Sequence, residues 1–485
     1  MILTRKLLVV VATIEKMKRR SRPRTGIRVP SRDAMNIFLE SDKADANLLQ
    51  VVVVDSDAID APITLDTVRA WVSPRLESLP ALRRRLHSVP GDVANPYWVD
   101  DEGFSLDQHI TLTPVIEPGW APLGRRLADL LTRRMDLAES TWELHIFTNV
   151  TGVDGFPERA CVIALKVHHA MMDGVGLAHT ARTLFGADTG KSSRGNTTEV
   201  AIAGGFAELV RFPRTIGKFV TELIRLRRHT FPAGPNATAL PATRFNRPVD
   251  PDPVLQLIPF DLHRIQRMKA VVPGATVNDV MLTVVSIALT RYLSELGEPT
   301  SRLATTIPMD LRSAAGTDAA NQVSTVTVDL HADIRDPLAR LSAVHASADA
   351  AKAWARNLAA SDHPRPMEIA PPAALKLVRI VSGLVPHTSS TVGSNTVISN
   401  VPMGDPDLEF LGARAVAAFS PMPIGDGVGL IHHVCSLGPV VMLSVSAERS
   451  MMDDSERYAD LLTAAFTEME SATQEAGRSG RSLAS

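Results

Sequence analysis

An α/β protein built in two halves is predicted by three features of this sequence. The chain has 485 residues, well past the roughly 250–300 at which a single core stops growing. Runs of strand character alternate with runs of helical spacing near both ends of the chain. A polar, proline-rich stretch at residues 188–253 interrupts that alternation. Two α/β units of roughly 180–230 residues, joined through this stretch, are the economical arrangement.

Composition narrows the function classes. Hydrophobic residues make up 45% and charged residues 21%, a globular balance that excludes disorder as the dominant state. Two cysteines, Cys161 and Cys435, exclude a disulfide framework or a cysteine-rich zinc module, and free buried thiols are expected. Net charge is −2, but residues 1–28 carry nine Lys/Arg against Glu15, which is +8 and leaves −10 for the rest. A mildly acidic body argues against nucleic-acid binding. Within the basic head, Leu7–Ile14 is far shorter than the ~20 residues of a spanning helix. A charged run, Lys16–Arg24, stands where a secretory signal would place its cleavage site. Residues 1–28 are therefore expected to be a disordered basic extension, with a membrane-surface anchor as the alternative.

The elements follow in order. Leu48–Val54 is a continuous apolar run of strand length. Leu65–Leu79 and Leu123–Met135 have helical spacing, the latter with Leu123, Leu127, Leu130 and Leu131 near one face. Glu143–Asn149 and Cys161–Val167 read as strands, and Ala178–Phe185 as a helix. Asp188–Glu199 has loop composition. Over Leu209–Arg228, Phe212, Ile216, Phe219, Val220 and Leu223 repeat at helical spacing beside Arg211, Arg214, Lys218 and Arg225. Phe231–Pro253 then holds six prolines. In the second half, strands are expected at Leu303–Ile307, Val323–Leu330, Thr396–Asn400 and Val440–Ser446. Helices are expected at Val277–Leu296, Pro337–Ala359 and Asp454–Ala472.

One constellation carries chemistry: His168-His169-Ala-Met-Met-Asp173-Gly174. In a chain of this composition the pattern arises by chance on the order of once per thousand chains. It lies where a strand ends and the chain turns towards a helix, a place where α/β proteins expose reactive groups. Metal binding is weakly supported, because adjacent residues on an extended chain point apart and no His-Glu-x-x-His or cysteine pair is near. A serine nucleophile is equally weak without a Gly-x-Ser-x-Gly. General base catalysis fits, since an imidazole takes a proton near neutral pH and is worth ~10²–10⁴ in rate. Only one of the two rings can face a given cavity, leaving the other packed. Asp173 suits an ion pair that holds the turn, and Gly174 a backbone conformation that a side chain would obstruct. The plain alternative is a pair of satisfied core histidines. His432-His433, which lacks an Asp-Gly at this spacing, is expected to be structural.

At this motif the chain resembles the bacterial wax ester synthase/diacylglycerol acyltransferase (WS/DGAT) family. Further matches are Asn95-Pro-Tyr-Trp-Val-Asp-Asp101, Phe104-Ser-Leu-Asp-Gln-His109, Thr276-Val-Asn278-Asp279 and Ile398-Ser-Asn-Val-Pro402. The resemblance runs from about Val29 to Ser471. It implies two chloramphenicol-acetyltransferase-like halves forming a pseudo-dimer with a tunnel at their interface. On that basis residues 29–187 are the N-terminal acyltransferase domain, 188–253 a crossover, 254–475 the C-terminal acyltransferase-like domain, and 476–485 a flexible tail. It also implies acyl transfer from acyl-coenzyme A to diacylglycerol or a long-chain alcohol. His169 is then the base, His168 its support, Asp173 and Gly174 the loop-fixing pair, and no covalent acyl-enzyme, metal or resident cofactor is needed.

Asn278 is implied to orient substrate or donate to the oxyanion, although Thr276-x-x-Asp279 also resembles a helix-capping box. Arg312, in Pro308-Met-Asp-Leu-Arg312, is expected to pair with Asp173, with an exposed, unpaired arginine as the alternative. The chain departs from the family's frequent Pro-Leu-Trp at Ser140-Thr141-Trp142. That departure leaves two other functions open: transfer to another alcohol or amine, and a lipid-droplet-binding protein of weak activity. Apolar substrates imply a cytoplasmic protein held peripherally at the inner membrane or at lipid droplets.

Overall fold

A computed structural model describes residues 25–41, 43, 45–186, 199–202, 205–228, 239–310, 323–359, 369–384 and 390–482. The strands of the two principal sheets are β1 (Asn47–Asp55), β2 (Ile110–Pro114), β3 (Trp142–Val150), β4 (Ala160–His168), β5 (Pro253–Asp261), β6 (Ala304–Asp310), β7 (Val323–Asp329), β8 (Thr396–Asn400), β9 (Glu409–Phe410), β10 (Ala413–Phe419), β11 (Leu430–Leu437) and β12 (Val440–Glu448). The helices are α1 (Ser31–Phe38), α2 (Leu65–Arg75), α3 (Trp120–Thr132), α4 (Gly174–Phe185), α5 (Gly205–Arg228), α6 (Leu262–Lys269), α7 (Val277–Glu295), α8 (Pro337–Ala359), α9 (Pro372–Leu384) and α10 (Ser455–Ser482). Each half holds one mixed six-stranded sheet, ordered β9-β10-β1-β4-β3-β2 and β5-β12-β11-β8-β6-β7.

Continuous apolar runs become the central strands, as physical chemistry requires of strands covered on both faces. Every residue of β4 is buried, and β4 pairs antiparallel with β1 from Asn47↔His168 to Asp55↔Ala160. Alternation sorts the side chains of β1. Leu48, Val52 and Val54 face α2 and α4, whereas Leu49, Val51 and Val53 face α3 together with Leu255, Ala417, Phe419 and Met442 from the second half. The second core forms where α7 and α10 lie on β11 and β12, with Val280, Val284, Leu443, Leu462 and Phe466 at its centre.

Four details differ from the sequence expectations. Residues 409–419, expected within the second half, complete the first half's sheet, where β10 lies antiparallel to β1 from Ala415↔Val54 to Phe419↔Val51. Its sequence is largely alanine, a residue depleted in strands, so no alternation marks it. Thr25–Arg28, placed in the N-terminal extension, is a strand between Tyr97–Asp100 and Val200–Ala201. Pro253, given to the crossover, opens β5, paired along its length with β12. Helix α10 runs on to Ser482 instead of ending in a tail at 476, for no proline interrupts it.

Candidate active site

The imidazole of His168 is the last side chain of β4 and is fully buried. Its Nδ1 accepts the backbone N–H of Ala170 at 3.1 Å, so the ring proton belongs on Nε2. That nitrogen faces Glu40 Oε1 at 3.4 Å, an electrostatic contact longer than a tight hydrogen bond. The backbone N–H of His168 donates to the Thr141 carbonyl at 3.2 Å. One residue on, the chain has left the ladder. His169 is only half-buried, its N–H donates to the Ala46 carbonyl at 2.7 Å, and its carbonyl accepts Asn36 Nδ2 of α1 at 3.3 Å. The two residues therefore occupy different environments, one fully buried and one half-buried, as the alternation of an extended chain dictates.

The turn after the pair is closed by Asp173. Its carboxylate is buried and caps α4 by accepting the Gly176 N–H at 2.9 Å, one of the orphan donors of a helix start. Arg312, its expected ion-pair partner, lies outside the described residues. The glycine expectation requires a correction. A Cβ on Gly174 would meet only Val401 Cγ2, at 3.8 Å, whereas on Gly176 it would lie 2.9 Å from Met172 Cβ. The steric demand falls on the second glycine of Asp-Gly-Val-Gly, because that residue packs back over the turn.

The contact at Gly174 also shows how the halves meet. Val401 belongs to the Ser-Asn-Val-Pro segment leaving β8, and Arg182 of α4 donates to the carbonyls of Met403 and of Asp405, the latter at 3.2 Å. Its guanidinium also pairs with Asp407 at 2.6 Å. In the second half, Thr276 and Asp279 form a reciprocal capping box at the start of α7. Asp279 Oδ2 accepts the Thr276 N–H at 2.8 Å and contacts His345 Nδ1 of α8 at 3.0 Å. Asp279 is fully buried in this structural task, and Asn278 beside it is half-buried. His432 is a satisfied core histidine, with Tyr458 Oη at 2.8 Å and Thr396 Oγ1 at 3.2 Å.

Three charges near the pair, the buried Glu40 and Lys166 and the half-buried Glu143, escaped the sequence reading. Burial pushes the Glu40 carboxyl up, yet His168, the Ala46 N–H and Arg134 together hold it below its usual value. Glu143 is lowered to about 2 in the same way, burial being outweighed by His145, Lys166 and Arg133. Lys166, two residues before His168 on the same face of β4, is lowered to about 8 by burial, against the pull of Glu143. Its Nζ donates to the Arg133 carbonyl at 2.5 Å. None of these acids sits in a recognisable pattern; only the strand register brings them to the pair.

Two mixed sheets, the first completed by strands from the C-terminal part of the chain, with a histidine pair at a strand end, are the frame of an acyltransferase-like α/β protein. Known proteins agree. The wax ester synthase/diacylglycerol acyltransferase catalytic domain matches residues 30–281, and the WS/DGAT C-terminal domain matches residues 319–470. The chain belongs to this family and is an acyltransferase. A candidate diacylglycerol O-acyltransferase of Mycobacterium tuberculosis is 26% identical over 91% of this chain and 90% of its own length. Another from the same organism is 27% identical over 86% of this chain and 91% of its own. Among solved structures, the wax ester synthase/diacylglycerol acyltransferase of Marinobacter aquaeolei VT8 shares the fold, with TM-score 0.64 and 20% identity over 92% of this chain and 100% of that one. The trichothecene 15-O-acetyltransferase of Fusarium sporotrichioides does so at TM-score 0.53 and 11% identity, over 93% and 95%.

Proposed function

We propose that this acyltransferase moves a fatty acyl group from acyl-coenzyme A to diacylglycerol, forming triacylglycerol, and accepts long-chain alcohols to form wax esters. The observation that carries the reading is the division of labour in the pair. His168 is buried and fixed as the Nε2–H tautomer, and His169 is half-buried where the turn meets the Ser-Asn-Val-Pro segment.

In the proposed reaction the His169 imidazole takes the proton of the acceptor hydroxyl as the oxygen attacks the thioester carbonyl. The tetrahedral oxyanion collapses, the carbon–sulfur bond breaks, and the coenzyme A thiolate recovers the proton from the imidazolium. Ester and free thiol leave, and no acyl-enzyme or resident cofactor takes part. A passage between the halves would let the thioester and the hydroxyl reach His169 from opposite sides. Asn278, in the first turn of α7, is assigned to substrate orientation or to the oxyanion, where one lost donor costs ~3–4 kcal/mol.

Among the described residues no helix is long and apolar enough to cross a membrane. Apolar substrates support peripheral work at the cytoplasmic face of the membrane or at lipid droplets.

The test is purified protein with labelled palmitoyl-coenzyme A and diacylglycerol, hexadecanol or neither, beside His169→Ala. Acceptor-dependent ester that drops at least ~10²-fold in the variant is expected. Equal turnover by the variant would remove His169 from the chemistry, and amide formed from amines, or ester formed from short alcohols alone, would replace the acceptor class.

A further inference from the structure

Two helices of this protein expose apolar side chains that a water-facing helix ordinarily hides. On α5, Val210 is 63% exposed, and Val220, Leu223 and Ile224 are also exposed. At 100° per residue these four fall within an arc of roughly 140°. Arg211, Arg214, Lys218 and Arg225 occupy the adjoining stripe. Phe219, one turn before Leu223 at the inner edge of that arc, is partly buried and packs against the apolar cluster around Val29, Phe38 and Leu375. On α9, Leu377 is 60% exposed and Val378, Ile380 and Val381 are exposed beside Arg379. Leu375 anchors that helix in the same cluster.

We infer that α5 and α9 together form a docking surface for an anionic lipid bilayer, resting on the helix that holds the active-site turn. The charge pattern selects the partner: exposed apolar stripes bordered by arginine and lysine match acyl chains under anionic headgroups. The cluster beneath both helices is built on α1, whose Phe38 packs into it while Asn36 binds the His169 carbonyl. Docking therefore brings the membrane to within one short helix of the site, where a lipid acceptor must arrive. The inference gives a place to the peripheral work assigned above and rests on that reading for its purpose, though not for its test.

The experiment is co-sedimentation of the full-length protein with vesicles of phosphatidylcholine alone or with an equal part of phosphatidylglycerol. Wild type and His169→Ala should bind the anionic vesicles alike, and binding should weaken at least ~5-fold in raised salt. Leu223→Asp/Ile224→Asp and Leu377→Asp/Ile380→Asp should each lower binding by ~10-fold or more, with unfolding midpoints unchanged. Arg214→Glu/Lys218→Glu should abolish the preference for phosphatidylglycerol. Undiminished binding by the aspartate variants would overturn the inference. So would a wild-type dimer that these substitutions dissociate while no vesicles are bound, since a second copy would then cover the stripes. Vesicle binding by a protein that forms no ester would leave the surface standing and refute the acyltransfer reading instead.

Discussion

Glu40 Oε1 stands 3.4 Å from His168 Nε2, and the same oxygen accepts the Ala46 N–H at 3.2 Å, while Ala46 holds the N–H of His169 through its carbonyl. One buried carboxylate thus faces the Nε2–H of the first histidine, whose tautomer the Ala170 N–H sets, and holds the strand lead-in that positions the second. Glu40→Gln keeps one oxygen for these two donors but removes the negative charge, and Arg134 loses the second oxygen with which it pairs. Expected is a fall in kcat of about tenfold with KM for acyl-coenzyme A nearly unchanged, the pattern of lost positioning rather than lost binding. Steady-state kinetics decide it: a KM-only effect would show that Glu40 serves the substrate and not the pair.

The two glycines of the turn should respond oppositely to alanine. Gly174→Ala adds a methyl at ordinary contact distance from Val401, whereas Gly176→Ala forces it to 2.9 Å from Met172 Cβ. Overpacking of this kind costs about 1–3 kcal/mol. Thermal unfolding should therefore leave Gly174→Ala within about 0.5 kcal/mol of wild type and lower Gly176→Ala clearly, with activity following. A reversed order would mean that the turn relaxes around the second glycine.

Acid should weaken this protein earlier than its carboxylates alone would dictate. Burial lowers His432 to about 3 and His433 to about 4, so both stay neutral in the fold and accept a proton near pH 6.5 when unfolded. A depressed folded value means stability fully present above pH 6.5 and lost as pH falls, roughly 2 kcal/mol for each group by pH 5. Glu143, lowered to about 2, adds its own loss only below about pH 4.5. Urea midpoints at pH 8, 6.5 and 5 should drop across the last interval, and His433→Gln should flatten that drop. An unchanged midpoint down to pH 5 would show that these rings become protonated without unfolding.

What was legible in the chain was whatever local pattern determines. The runs at Leu48–Val54 and Cys161–Val167 could only be covered strands, and a histidine pair directly after one of them had to sit at a strand end. Thr276 and Asp279 announced a capping box by spacing alone, and the structure shows one. What escaped depends on register. Glu40 is a lone acid after a short helix, and it reaches His168 only because Asn47 pairs with that residue. Strand β10 is hidden by its alanines and joins a sheet whose other long strands lie more than 240 residues earlier. The exposed end of α9 carries no caps or alternation to announce it.

Ser140-Thr141, the departure from the family's frequent Pro-Leu, should matter little. The fully buried Thr141 supports the pair through its backbone carbonyl, which accepts the His168 N–H at 3.2 Å, and any residue supplies that group. Its hydroxyl is spent on the Arg84 carbonyl at 3.0 Å, a bond worth about 1 kcal/mol. Trp142 is the structural member. It is fully buried, its indole N–H donates to the Leu82 carbonyl at 2.7 Å, and its ring stacks on His109 with centroids 4.5 Å apart. Thr141→Leu should keep kcat within about threefold and cost about 1 kcal/mol of stability. Trp142→Ala should cost about 3–5 kcal/mol, because the cavity beneath β3 cannot collapse around a rigid sheet. Unfolding midpoints and kcat measured on both variants test the division. A Thr141→Leu protein that folds normally yet loses activity by thirtyfold would show that the hydroxyl, and not the carbonyl, is what the active-site turn requires.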